Sequence, residues 1–99
     1  MDKTLIIAKL REYENELRAA GIKSLVLHGS YARGTVLSGA SDVDVVAEFD
    51  QAKRMSLLGR IHLENRLTDI LGIKADLADR RLLRPDVRES VQRESILVF

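Results

Sequence analysis

Two aspartates separated by one valine, Asp42-Val43-Asp44, and an upstream Gly-Ser pair, Gly29-Ser30, are the residues of this chain whose types and spacing could do chemistry. Side chains alternate along a strand, so Asp42 and Asp44 point to one side while Val43 and Val45 point to the other. Two carboxylates held that close repel each other unless a cation lies between them, and hard oxygen donors select Mg²⁺ or Mn²⁺ over softer metals. The Gly-Ser pair lies in His28-Gly29-Ser30-Tyr31-Ala32-Arg33-Gly34. A turn of this kind, leaving a strand and entering a short helix, presents backbone N–H groups and a hydroxyl to phosphate oxygens, and Gly29 permits close approach. Arg33, about one turn further on, would add positive charge at a phosphate tail or fix the loop. Ser41 would either cap the loop before Asp42 or touch nucleotide. Two-metal phosphoryl-type transfer calls for a third carboxylate. Asp76 is the candidate, on the face of a later strand opposite Ile73, Ala75 and Leu77, with Asp79 and Glu48 as alternatives. It would bind the metal nearer the acceptor and serve as general base, or lower the acceptor pKa through that metal.

Elements that could position these groups follow from the apolar spacing. Ile6, Leu10, Tyr13 and Leu17 recur at helical intervals over the first twenty residues, and Gly21 stands where a left-handed cap would end that helix. Leu25-Val26-Leu27 is a buried strand ending at Gly29. A loop with a short helix leads to a second strand over Val43–Phe49. The segment from about Ala52 to Leu71 reads as the longest helix, closed by Gly72. Residues 73–78 form a third strand, and Pro85 opens a last helix running to about Glu94, where its missing donor is harmless. The tail Ile96-Leu97-Val98-Phe99 reads equally as strand or coil. The order predicts an α/β (α+β) fold, a small mixed β-sheet with helices packed on it, in one domain spanning 1–99.

Composition limits the partners. Sixteen basic residues balance fifteen acidic ones, for a net charge of +1, so no chain-wide field attracts a polyanion and direct nucleic-acid binding is not expected. The basic run Asp79-Arg80-Arg81-Leu82-Leu83-Arg84 reads as solvated loop that could also meet an acidic partner or phosphate. The absence of cysteine removes disulfides, thiolate metal sites and a cysteine nucleophile. No apolar run reaches the ~20 residues that span a bilayer and no signal segment opens the chain, which makes a cytoplasmic location the expectation, with no membrane partner. His28 reads as a structural strand-end residue and His62 as surface or interface, while Tyr31 either stacks on a base or fills a gap against the first helix.

Gly29-Ser30, an interval of eleven residues and Asp42-Val43-Asp44 resemble the nucleotidyltransferase signature, in which a Gly-Ser turn precedes an Asp-x-Asp pair on the next strand. The fuller runs Gly-Ser-Tyr-Ala-Arg-Gly and Ser-Asp-Val-Asp are similar to the minimal nucleotidyltransferases of prokaryotic toxin–antitoxin loci, within the DNA-polymerase-beta-like superfamily. Asp76, in Ala-Asp-Leu-Ala, matches the place of that family's third acidic residue, and His28 stands where the family often has an apolar or aromatic residue. The resemblance implies the polymerase-beta-like fold, Mg²⁺ with ATP as substrate, and an antitoxin whose partner is a helical HEPN-type ribonuclease toxin that receives AMP on a tyrosine. Little chain remains after the core to form an acceptor domain, which agrees with an acceptor carried on another protein. Two other readings are an antitoxin that neutralises by binding alone, and nucleotide transfer to a small hydroxyl compound such as an aminoglycoside.

Overall fold

The computed structural model describes residues 1–35 and 42–99. Helix α1 (Lys3–Glu12) starts at Asp2, whose carboxylate accepts the Leu5 amide at 3.0 Å, and buries Ile6 and Leu10. The expected single first helix is broken at Tyr13, and α2 (Glu14–Ala19) carries Leu17 into the core. The break sets Glu16 against Arg66 of a later helix at 2.6 and 2.9 Å, with the same guanidinium 5.2 Å from the Tyr13 ring centre.

Strand β1 (Ile22–His28) runs into α3 (Gly29–Arg33), and β2 (Val43–Phe49) follows. Helix α4 (Leu57–Leu71) is shorter than its apolar pattern suggests. Asp50 takes the Ala52 amide into a turn at 3.0 Å and Ser56 caps the helix by accepting from Gly59 at 3.0 Å, so the helix begins only where these side chains release the backbone. Strand β3 (Ala75–Asp79), a 3₁₀ turn (Arg80–Leu82) and α5 (Pro85–Glu94) complete the expected order. The tail resolves as a fourth strand, β4 (Ile96–Leu97).

The sheet order is β3-β2-β1-β4, with β1 antiparallel to both neighbours and β2 parallel to β3. A parallel pair needs a crossover, and α4 is that crossover. One sheet face carries Leu25, Leu27, Val43, Val45, Ala75 and Leu77 against Ile6, Leu10, Leu63, Leu67 and Ile70 of the helices, all buried in one cluster. Alternation sends the intervening residues to the second face, where His28 lies opposite Asp44 and Asp44 opposite Asp76. No described helix is long and apolar enough to cross a membrane.

Candidate active site

The register places His28 of β1, Asp44 of β2 and Asp76 of β3 in one row across three adjacent strands. Asp42 immediately precedes β2, where the Val43 amide donates to the Lys74 carbonyl at 2.9 Å and ties the starts of β2 and β3 together. The three aspartates named from sequence are therefore gathered at one end of the sheet. Burial pushes the Asp44 carboxyl above its ordinary pKa, and the neighbouring Asp76 and Asp42 charges push it further, against the opposing pull of His28 and Arg33. Asp76 is likewise raised, by burial and then by the Asp42 charge, while Lys74 opposes. The Lys74 ammonium stands 3.8 Å from Asp42 and 4.0 Å from Asp76, as the local counter-charge. As placed, the carboxylates do not form a closed set of ligands, and no such set of three His, Cys, Asp or Glu side chains occurs among the described residues.

Gly29 opens α3 with φ +74°, and its Cα packs so tightly on the Asp44 carboxylate that a β-carbon there would overlap Asp44 Oδ2. The N-cap of α3 is His28, whose side chain makes no capping bond, and its buried Nδ1 has no partner among the described residues. The uncapped first turn at Gly29 and Ser30 thus faces the aspartate row. Arg33 is exposed and pairs with Glu94 at 3.5 Å, joining α3 to α5, so it holds the loop while its charge still reaches Asp44. Tyr31 is in the core, 6% exposed. Ser41 lies outside the described residues. The two alternatives for the third acid stand elsewhere: Asp79 aligns with Ala47, is buried, and caps the 3₁₀ turn through the Arg81 amide at 2.9 Å, while Glu48 lies opposite Ser24 near the far end of β2.

Sequence reasoning missed four residues that shape this row. His28 and Lys74 adjoin it directly, and strand alternation alone puts His28 on the Asp44 face. Glu64 and Thr68, one turn apart on α4, reach the free edge of β3: the Ala75 amide donates to Thr68 Oγ1 at 3.0 Å and the Leu77 amide to Glu64 Oε2 at 2.8 Å. These bonds satisfy the edge amides on either side of Asp76 and fix the strand that presents it. Thr68→Val keeps the shape and removes the acceptor. We expect a stability loss of about 1–2 kcal/mol by denaturant titration, restored by Thr68→Ser. Unchanged stability in Thr68→Val would show that the edge of β3 needs no such clamp.

The model of the nucleotidyltransferase domain family matches residues 7–98. This chain belongs to that family. It is 34% identical over 90 residues to the protein adenylyltransferase MntA of Thermococcus cleftensis, covering 90% of this chain and 88% of that protein. A solved structure provisionally named a minimal nucleotidyltransferase superposes with TM-score 0.76 at 34% identity, over 97% of this chain and 95% of that one. The fold also matches, at TM-score 0.68 and 20% identity, a chain from the complex of tri-AMPylated HEPN toxin with MNT antitoxin of Shewanella oneidensis, over 97% of this chain and 71% of that one.

Proposed function

We propose that this nucleotidyltransferase-family chain transfers AMP from ATP to a tyrosine hydroxyl of a HEPN-type toxin and thereby acts as its antitoxin, in the cytoplasm. The observation that carries the reading is the row of Asp44 and Asp76, with Asp42 beside it, set against the uncapped Gly29–Ser30 turn. The family match supports nucleotidyl transfer, and the names of the similar proteins support AMP, a protein acceptor and a HEPN partner.

The donor set fits a hard divalent cation. It is all oxygen, lies on one sheet face, and holds two carboxyls whose ionisation the protein itself disfavours, a cost that bound Mg²⁺ would reverse. Asp42, Asp44 and Asp76 would hold the metal, which when bound would neutralise phosphate charge and lower the pKa of the attacking hydroxyl. Gly29 and Ser30 would receive the triphosphate through first-turn amides and the Ser30 hydroxyl, with Arg33 fixing that turn and Ser41 as a further nucleotide contact. Asp76, more exposed than Asp44, would accept the proton of the acceptor hydroxyl as that oxygen bonds to the α-phosphorus and pyrophosphate departs. Lys74 would keep Asp42 and Asp76 from repelling one another before substrate arrives.

The test is incubation with each nucleoside triphosphate radiolabelled at the α-phosphate, with Mg²⁺, with and without the co-encoded helical neighbour. We expect label from ATP on a tyrosine of the neighbour, absent in Asp42→Ala/Asp44→Ala. Transfer undiminished in that variant overturns the site assignment. A tight complex without label would instead make the chain an antitoxin that acts by binding.

A further inference from the structure

The balanced charge of the chain hides a strong segregation. At the end of the sheet opposite the aspartate row, where β2 and β3 finish, a cavity of about 420 Å³ is lined by Lys53, Arg54, Arg60 and Arg81. It shares residues with a second cavity that adds Arg18 and Lys23, and Arg81 with a third that adds Arg80 and Arg88. Eight of the sixteen basic residues line these three cavities, which meet at Arg81, against three acidic ones, Glu48, Asp50 and Asp79, which leaves eight basic and twelve acidic residues elsewhere. Asp79 is buried and already engaged by Arg81 at 3.4 Å, and Asp50 holds the Ala52 amide. The guanidinium groups of Arg54 and Arg80 make no hydrogen bond or ion pair with any described residue.

We propose that this basic end of the sheet binds the phosphodiester backbone of a nucleic acid, at a site separate from the aspartate row by roughly 17 Å, the rise over the five strand steps from Asp44 to Phe49. Six of the eight cations are arginines, whose planar fork suits phosphate oxygens. Arg60 and Arg18 lie over the rings of Phe49 and Phe99, at 5.6 and 4.9 Å; Arg18 is further held by Glu14 and the Lys23 carbonyl, both at 2.7 Å, and Arg60 gives one N–H to the Leu77 carbonyl at 3.4 Å, so only part of each fork remains to donate. A protein partner would take its affinity from apolar anchors. These cavities offer few, because Ile22 and Phe49 in their lining are 1% and 8% exposed and Met55 is partly buried. Repeating phosphates need only the cations.

The test is fluorescence anisotropy of the full chain with a labelled oligonucleotide of mixed sequence, single-stranded and duplex in separate arms. It is run in EDTA without nucleotide, so the aspartate row takes no part. Binding should weaken steeply between about 50 and 200 mM KCl. Arg54→Glu/Arg80→Glu should lose about tenfold or more and flatten the slope of log K against log salt by about 2. The milder Arg54→Gln/Arg80→Gln should lose less, in the same direction, and Asp44→Asn should bind no more weakly than wild type. Whichever arm binds identifies the form recognised. Absence of binding in both arms, unchanged affinity in the two arginine variants, or displacement by polyglutamate as readily as by unlabelled oligonucleotide overturns the proposal, the last in favour of an acidic protein. None of these outcomes touches the transfer reading, which the labelled-nucleotide assay decides alone.

Discussion

Asp44→Asn is expected to lower transfer by about 10³-fold or more while making the metal-free protein more stable at neutral pH. The two effects share one cause. Asp44 occupies the central position of the row, half-buried between His28 and Asp76, and burial and neighbouring carboxylates both raise its pKa in the folded chain. A carboxyl with a raised folded pKa binds its proton more tightly folded than unfolded. Its contribution is therefore neutral below the unfolded pKa, about 3.9, and becomes destabilising as pH rises through the folded pKa. At neutral pH that penalty is present, and asparagine removes it without changing shape. The thermal midpoint of Asp44→Asn should exceed that of wild type at pH 7 in EDTA, and the difference should vanish in acid. Added Mn²⁺ should raise the wild-type midpoint and leave the variant unmoved, because asparagine removes the central carboxylate of the row. A variant no more stable than wild type at pH 7 would show that the aspartates do not repel one another, and the case for a cation among them would fail.

The placement of the candidate site was legible in the sequence for a physical reason. Groups kept where they cost stability break local rules, and Asp42-Val43-Asp44 breaks one visibly by placing paired acids at the start of a buried strand. Val43 and Val45 mark the core face and leave Asp42 and Asp44 on the other, and Asp76 is named from the alternation of its own strand, whereas the parallel pairing of β3 with β2 that sets it opposite Asp44 is visible only in the structure. Less legible were groups acting through another element. Nothing in the spacing of Glu64 and Thr68 on α4 announces that their side chains end on β3 amides, because that contact depends on how helix and edge strand are docked. Tyr13 shows the same limit: its place in the apolar period is helical, and the break there accompanies the approach of Arg66 from a distant helix. The tail was ambiguous because four apolar residues suit a strand or a coil. The sheet decides, since β1 offers Val26 and Leu27 as partners and Val98 is fully buried. Charge is the clearest case of information lost in a sum. A net +1 describes no part of this surface, with acids at one end of the sheet and guanidinium groups at the other.

Gly29→Ala separates backbone strain from damage to the site, provided it is compared with Gly72→Ala. Both glycines hold left-handed backbone, φ +74° and +71°, where an L side chain costs about 1–2 kcal/mol. Their surroundings differ. A β-carbon at Gly72, which caps α4, meets nothing within 4 Å, so that variant should lose about 1 kcal/mol and keep its kcat/KM. A β-carbon at Gly29 meets the Asp44 carboxylate, which must swing aside, and its departure removes the central oxygen donors of the row. Gly29→Ala should therefore show a stability loss of similar size, partly offset because a displaced Asp44 escapes its neighbours' charge, together with a fall in transfer of about 100-fold. Stability is read by denaturant titration and transfer by labelled-nucleotide assay on the same preparations. If the two variants lose stability alike and transfer alike, the fall is a generic effect of strained backbone. If Gly29→Ala alone loses transfer, the missing side chain at position 29 is what lets phosphate loop and aspartate row occupy the same few ångströms.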